Sequence, residues 1–464
     1  MFDANLAKHG DKTSFIYEDT SLTYKELDTL CLEFVAVLPK PKQLILVKAA
    51  TNIETIVGYL GFLRANHAFM MLDAFVDTAL IENILDIYKP NLIWEKREKN
   101  YEYIYKFESY GLRVYNRDAL ELYPKLSLML STSGTTGSPK MVQLTKENLY
   151  ANCNSIIEYL GINDQHRAIT NLPLYYSYGL SILNTHLEKG ASLVVTDSSI
   201  MSKEFWETFK EHKVSTLNGV PYNYEIFRRI GLMKMDLPSL KYMTQAGGKL
   251  NEKLVKEFSS WAKERGIVFY VMYGQTEATA RISYLSPTMT TQKGTSIGVA
   301  IANGKLTIRD LNTSKNVEEA LINGELIYEG KNVMLGYASS LEDLARGDVL
   351  HGVLHTGDVA YKDEDGYFYI TGRIKRFIKI HGNRVGLDEI EQFLKQNYSD
   401  VLVTGIDNKL MIATLSEECN EEIKNRLIKK YKLHHSVLKV RRVEAFPISS
   451  AGKVKYQELI KEFV

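Results

Sequence analysis

The chain has 464 residues and carries 57 Lys and Arg against 56 Asp and Glu, a net charge of +1. That length allows roughly two to four domains around a sizeable core, and the balanced charge argues against nucleic acid or an anionic membrane as a partner. Cys31, Cys153 and Cys419 lie far apart with no Cys-x-x-Cys pair, which argues against a disulfide framework or a zinc site. The opening Met1-Phe2-Asp3-Ala4-Asn5 lacks a basic-then-apolar leader pattern, and no apolar run approaches the ~18 residues of a membrane span. A cytoplasmic protein without membrane insertion is the expectation.

Residues 1–125 alternate helix and strand patterns. Ser21-Leu22-Thr23-Tyr24-Lys25-Glu26-Leu27 offers a hydroxyl cap before an apolar-periodic helix, Leu44–Val47 reads as a buried strand, and Ile53–Leu63 as a helix packed on it. Such alternation predicts a parallel, doubly wound sheet. Leu126–Leu130 is a further apolar strand candidate, and it delivers Ser131-Thr132-Ser133-Gly134-Thr135-Thr136-Gly137-Ser138-Pro139-Lys140. Glycines let backbone N–H groups approach phosphate oxygens, hydroxyls add donors, and a lysine neutralises charge. Pro139 stands where a P-loop needs the glycine before its lysine, which argues against a P-loop kinase or ATPase. By composition alone the stretch could equally be a surface loop.

Three aromatic residues precede a Gly-Leu turn in Pro173-Leu174-Tyr175-Tyr176-Ser177-Tyr178-Gly179-Leu180, a composition suited to a partly apolar cavity with a few hydroxyls. Val214–Pro221 runs from a strand into a turn, and Gly247-Gly248 by itself reads as a further turn. Phe269–Met272 is a β-rich run that would project Gly274-Gln275-Thr276-Glu277 from a strand's C-terminal end, where ligands bind in open α/β sheets. Arg281, four residues on, reads as either a substrate contact or a surface charge. Asp365-Gly366 sits between two short β runs as a hairpin turn, beside Asp358 and Arg373. Beyond Ile374 the pattern gives a helix with Leu387, Ile390, Phe393 and Leu394 on one face, a hairpin through Asp407-Asn408, and a second helix carrying Ile423, Leu427, Ile428 and Tyr431.

The order of these motifs resembles that of the adenylate-forming superfamily, which includes acyl-CoA synthetases, adenylation domains of nonribosomal peptide synthetases, and luciferases. Ser-Gly-Thr-Thr-Gly-x-Pro-Lys is similar to the family's phosphate loop, Tyr-Gly-Gln-Thr-Glu to its adenine and metal motif, and Gly-Lys at 452–453 to its C-terminal lysine loop. The resemblance implies an α/β protein: a large N-terminal domain of layered α/β subdomains (1–373) and a small mobile α+β lobe (374–464) turning on a hinge at Lys375. It implies that Thr132, Ser133, Gly134, Thr135, Thr136, Gly137 and Lys140 hold the leaving phosphates. Adenine would rest against Gly247, Gly248 and Tyr273, Asp358 would take the ribose, and Arg373 would close on the ribose or phosphates. Thr276 would reach the α-phosphate, Glu277 would hold Mg²⁺, and Lys453 would supply the catalytic charge. Tyr176, Ser177, Tyr178, Asn218, Gly219 and Gln245 would line the acid pocket.

The implied reaction is ATP-dependent activation of a carboxylic acid to an acyl-adenylate, followed by transfer to coenzyme A or to the phosphopantetheine of an acyl carrier protein. The alternatives are a non-catalytic regulator on the same fold and an amino-acid-activating enzyme. Tyr176 stands where many CoA ligases have histidine, and no aspartate lies near it to pair a substrate amine. A short or medium acyl or hydroxyacyl acid is therefore expected. From Ile374 onward seventeen Lys and Arg face twelve Asp and Glu. Arg441, Arg442, Lys429, Lys430 and Lys432 belong to this excess, which would suit an anionic thiol carrier, a carrier protein more than coenzyme A.

Overall fold

Strands buried on both faces need near-continuous apolar runs, and the first third of the chain supplies them. In the computed structural model, which describes residues 2–17, 20–131, 140–374, 376–380, 383–448 and 454–463, Leu44–Ala49 pairs in parallel with Ala68–Asp73 and Leu92–Lys96. Leu126–Ser131 then pairs in parallel with Ala68–Asp73. These four form the centre of an eight-stranded sheet. Its flanks are antiparallel: Met141–Thr145 and Gly336–Ala338 on one edge, Tyr110–Val114 and Tyr105–Phe107 on the other. The sheet expected to be parallel is thus parallel at its centre and antiparallel at its edges. Nine residues separate Ser131 from Met141, fewer than the dozen or more a parallel crossover requires, so the chain returns antiparallel.

Helix Ile53–Arg64 is buried all round against this sheet, and Gly58 and Gly61 let Trp94 and Phe34 close on it. A Cβ on Gly58 would lie 2.6 Å from the Trp94 indole nitrogen. Helix Tyr24–Val37 starts as its sequence predicts: Thr23 caps the Glu26 N–H while the Glu26 carboxylate accepts from the Thr23 N–H. A four-stranded sheet joins Arg167–Ile169, Ser192–Val195, Thr13–Tyr17 and Thr20–Thr23.

A third sheet positions the site. Thr216–Gly219, Tyr242–Gln245 and Val268–Tyr273 run parallel, and helices Pro221–Arg229 and Glu252–Glu264 supply the crossovers. The register puts Asn218 beside Thr244 and Gly219 beside Gln245, so polar residues far apart in sequence meet at the strands' C-terminal ends. Ser283–Leu285 and Val299–Ala300 complete the sheet antiparallel.

The chain divides into two compact units, Met1–Lys305 with Tyr328–Leu354, and Leu306–Ile327 with His355–Val464. The second unit contains most of the hairpin of Val353–Lys362 and Phe368–Arg373, from His355 onward, turning at Gly366 with φ of 83°. It also contains an α+β segment with a core of its own, where helices Leu387–Lys395 and Asn420–Tyr431 cover strands Val401–Ile406, Lys409–Thr414 and Leu438–Arg442. Every residue of that core lies at or beyond Ile378. Among the described residues no helix is long and apolar enough to cross a membrane.

Candidate active site

In the first unit, side chains converge on the C-terminal ends of the parallel strands. Tyr178 follows the start of helix Ser177–Lys189, and its hydroxyl lies 2.6 Å from Thr244 Oγ1 and 3.0 Å from the Thr244 carbonyl. Thr244 Oγ1 donates to Asn218 Oδ1 at 2.6 Å, so Tyr178 is the donor to Thr244. Tyr224 donates to the same carbonyl at 2.8 Å. Burial raises the phenols of Tyr176, to about 12, and Tyr178, which keeps both as neutral hydroxyls. Gln245 donates to the Gly248 carbonyl and fixes the glycine turn. Gly247 has φ of 84°, and a Cβ there would lie 2.6 Å from Tyr176 Oη. The glycine pair expected under a base therefore abuts the tyrosine expected to line the acid pocket. Gly219 packs against Tyr224 at the same strand ends. Tyr175 turns elsewhere and donates to Asp73 Oδ2.

The turn after Val268–Tyr273 carries the second cluster. Gly274 admits no side chain, because a Cβ would lie 1.9 Å from the Ala280 carbonyl oxygen. Gln275 donates to the Tyr273 hydroxyl at 3.0 Å. Thr276 is buried, and its hydroxyl lies 3.3 Å from Ser177 Oγ, joining this turn to the tyrosine segment. Glu277 accepts from the Tyr337 hydroxyl at 2.7 Å, and Lys140 Nζ sits 3.5 Å from the centre of the Tyr337 ring. Strand Gly336–Ala338 thus brings the last residue of the Ser/Thr/Gly motif and the expected metal carboxylate onto one phenol.

Asn332 ties down the remainder of the turn. Its amide donates to the Ala278 and Arg281 carbonyls, both at 2.9 Å, and its own carbonyl accepts from Thr279. Thr279 has φ of 67°, an unfavourable conformation for a β-branched residue, and these bonds hold it. Tyr337 and Asn332 were not legible as site residues. Their role depends on pairing with segments more than fifty positions away, and neither stands in a motif.

The second unit holds Asp358 and Arg373 directly opposite each other on paired strands. The Asp358 side chain is 2% exposed and accepts from Arg373 Nε at 2.8 Å, while the Arg373 side chain is 58% exposed. Thr356 accepts from the Asp358 N–H, and Asp388 from the Arg373 N–H. Thr132, Ser133, Gly134, Thr135, Thr136, Gly137, the hinge candidate Lys375 and the catalytic candidate Lys453 all lie outside the described residues.

No group of three or more His, Cys, Asp or Glu capable of holding a metal occurs among the described residues. A single carboxylate such as Glu277 fits Mg²⁺ held chiefly by nucleotide oxygens and water, not an all-protein cage.

The AMP-binding enzyme family model matches residues 2–338, and the chain belongs to that family. The 2-succinylbenzoate–CoA ligase of Bacillus cereus is 26% identical over 416 residues, covering 83% of this chain and 80% of that enzyme. Bacitracin synthase 3 of Bacillus licheniformis is 25% identical over 99% of this chain, which spans only 8% of that protein. Luciferin 4-monooxygenase of Photuris pensylvanica is 27% identical over 75% of this chain, which spans 65% of that enzyme. The chain thus spans less than two thirds of these last two relatives. In fold it is similar to o-succinylbenzoate CoA synthetase from Bacillus subtilis in complex with an acyl-adenylate, with a TM-score of 0.80, 20% identity, and 99% and 97% of the two chains covered.

Proposed function

We propose that this chain activates a carboxylic acid with ATP and passes the acyl group to a thiol. The observation that carries the reading is the Thr276-Glu277 turn. It touches the acid-pocket segment through Ser177 on one side and reaches Lys140 through Tyr337 on the other. An acid in the Tyr178–Thr244–Asn218 pocket and the phosphates of a nucleotide near Lys140 and Glu277 would meet at Thr276. A carboxylate oxygen would attack the α-phosphorus, and the bond to the β-phosphate bridging oxygen would break to release pyrophosphate. Such a displacement needs positioning and charge neutralisation more than proton transfer. Mg²⁺, held by Glu277, would add positive charge at the phosphates when bound.

Thiol sulfur would then attack the acyl carbon, AMP would leave, and the thiol proton would pass to solvent. Relatives named as CoA ligases support coenzyme A as acceptor. The basic surface around Arg441 and Arg442 would suit coenzyme A or an acidic carrier protein, and the carrier protein has no further support. The assignments of Lys453 to the adenylate-forming centre and Lys375 to a hinge at the 373/374 boundary rest on the sequence motifs.

The test is ATP–pyrophosphate exchange with a panel of acids, followed by thioester formation with coenzyme A or holo carrier protein. Acid-dependent exchange is expected, and its absence with every acid would overturn the reading. Lys453→Ala should lose exchange, and Lys375→Pro should lose only thioester formation.

A further inference from the structure

Arg281 is the one charged residue of the Thr276 turn that the proposed chemistry leaves unused, and it is 3% exposed. Asn152 and Asn332 hold its backbone: the Asn152 amide donates to its carbonyl and accepts from its N–H, and Asn332 donates to the same carbonyl. The guanidinium carbon lies 3.8 Å from the centre of the Tyr178 ring. Its other polar neighbours are neutral, the hydroxyls of Tyr159 and Tyr178 among them. Nη1 reaches the Ala280 carbonyl at only 3.4 Å, and Nε has no partner. No described carboxylate lies within ion-pair distance. Burying a guanidinium without a counter-charge is unfavourable by several kcal/mol, so a fold that keeps one in place favours whatever neutralises it.

The surroundings show where a counter-ion would sit. Arg281 lines a cavity together with Tyr178, Asn218 and Thr244, the residues of the acid pocket, and with His186 and Met272. The lining contains no Asp or Glu. Asn218 Nδ2 is a second donor there without a partner, since its Oδ1 is taken by Thr244. His186 adds no charge: its Nδ1 bonds the Ile182 carbonyl at 2.8 Å, and burial lowers its pKa to about 4. One fixed cation and one free amide N–H therefore share a buried cavity of about 10 Å³, which an entering group would have to widen, lined by hydroxyl-bearing and apolar side chains; the donor set matches a carboxylate.

We propose that the acid is activated at one end and carries an anionic group, a second carboxylate in the simplest case, at the other, paired with Arg281 and Asn218. This rests on the acid-activation reading above and narrows its substrate class to dicarboxylic acids. An α-amino acid is disfavoured for the same reason, because its ammonium would share the chamber with the guanidinium.

The test begins on the unaltered protein. Straight-chain C4–C8 dicarboxylates are compared, in pyrophosphate exchange and in thermal-shift titrations, with their half-amides and with monocarboxylates of matched length. At least one diacid is expected to exceed its half-amide in kcat/KM by about 30- to 1,000-fold, the usual cost of leaving a buried charge unpaired. In Arg281→Gln that ratio should collapse towards one, mainly through KM, and Arg281→Lys should recover part of it. Half-amides and monoacids that match the diacids on the unaltered protein would overturn the proposal, as would an Arg281→Gln variant that keeps the preference. Diacid binding that depends on Arg281 without any exchange would keep the proposal and sink acid activation. No exchange and no thermal shift with any acid would sink both.

Discussion

One buried charge in each unit, Asp358 in the second and Arg281 in the first, is handled in opposite ways. In the second, the Asp358 carboxylate is buried but its partner is a solvent-exposed arginine one strand away. In the first, Arg281 is buried among tyrosines with no carboxylate partner among the described residues, beside a hydrogen-bonded net of Tyr178, Tyr224, Thr244 and Asn218 that leaves Asn218 Nδ2 without a partner. A partner that remains in water can be released or exchanged cheaply, which suits a carboxylate meant to take up other hydrogen-bond donors. An unpaired cation inside a rigid polar net has no such freedom, and it discriminates among whatever enters. The first arrangement suits a ligand part common to many reactions; the second suits a part that differs between them.

The largest expected effect sharpens the contrast through histidine. His67 and His186 both belong to the first unit, and burial lowers each to about 4. Their folded values lie below the unfolded value near 6.5, so the stability they contribute is present above pH 6.5 and is lost as pH falls towards 4. At pH 5 the loss should reach about 2 kcal/mol for each histidine. Urea unfolding between pH 7 and 5 measures it, and a flat profile would show that the first unit is not closed to protons.

Next in size, Glu277→Gln keeps an acceptor for Tyr337 but removes the charge. Acid-dependent exchange should fall by about 10²- to 10³-fold with little change in thermal midpoint. A variant with near-normal exchange would separate this turn from the chemistry. Tyr178→Phe, smaller again, leaves the Thr244 carbonyl and hydroxyl one donor short and should cost about 1–3 kcal/mol in denaturant unfolding. A neutral result would mean that Tyr178 does not hold the polar net together.

The smallest effect on stability belongs to the second unit. Asp358→Asn keeps a hydrogen bond to Arg373 while removing the charge, so stability should move by no more than about 1 kcal/mol. The KM for ATP should nonetheless rise about tenfold, the equivalent of one lost hydrogen bond. A large loss of stability with ATP affinity unchanged would reverse the comparison, making Asp358 structural.

The sequence by itself determined many of the elements and the motifs they carry. The Thr23–Glu26 capping box, the apolar runs of Leu44–Ala49 and Val268–Tyr273, and the glycine-hydroxyl motifs are each set by residues within a few positions of one another. Local periodicity, capping and turn chemistry act at that range, which is why these features were legible. Tertiary structure alone decided the pairings between distant segments. It set antiparallel edges on a sheet expected to be parallel and placed Tyr337 between Lys140 and Glu277. It also brought Asn152 and Asn332 onto the Arg281 carbonyl. Arg281 marks the limit most clearly. Its position after the Thr-Glu motif left a surface charge and a substrate contact equally open, because a lone charged residue carries no record of its own burial. Its burial came only from strands and helices across the first unit that closed around it.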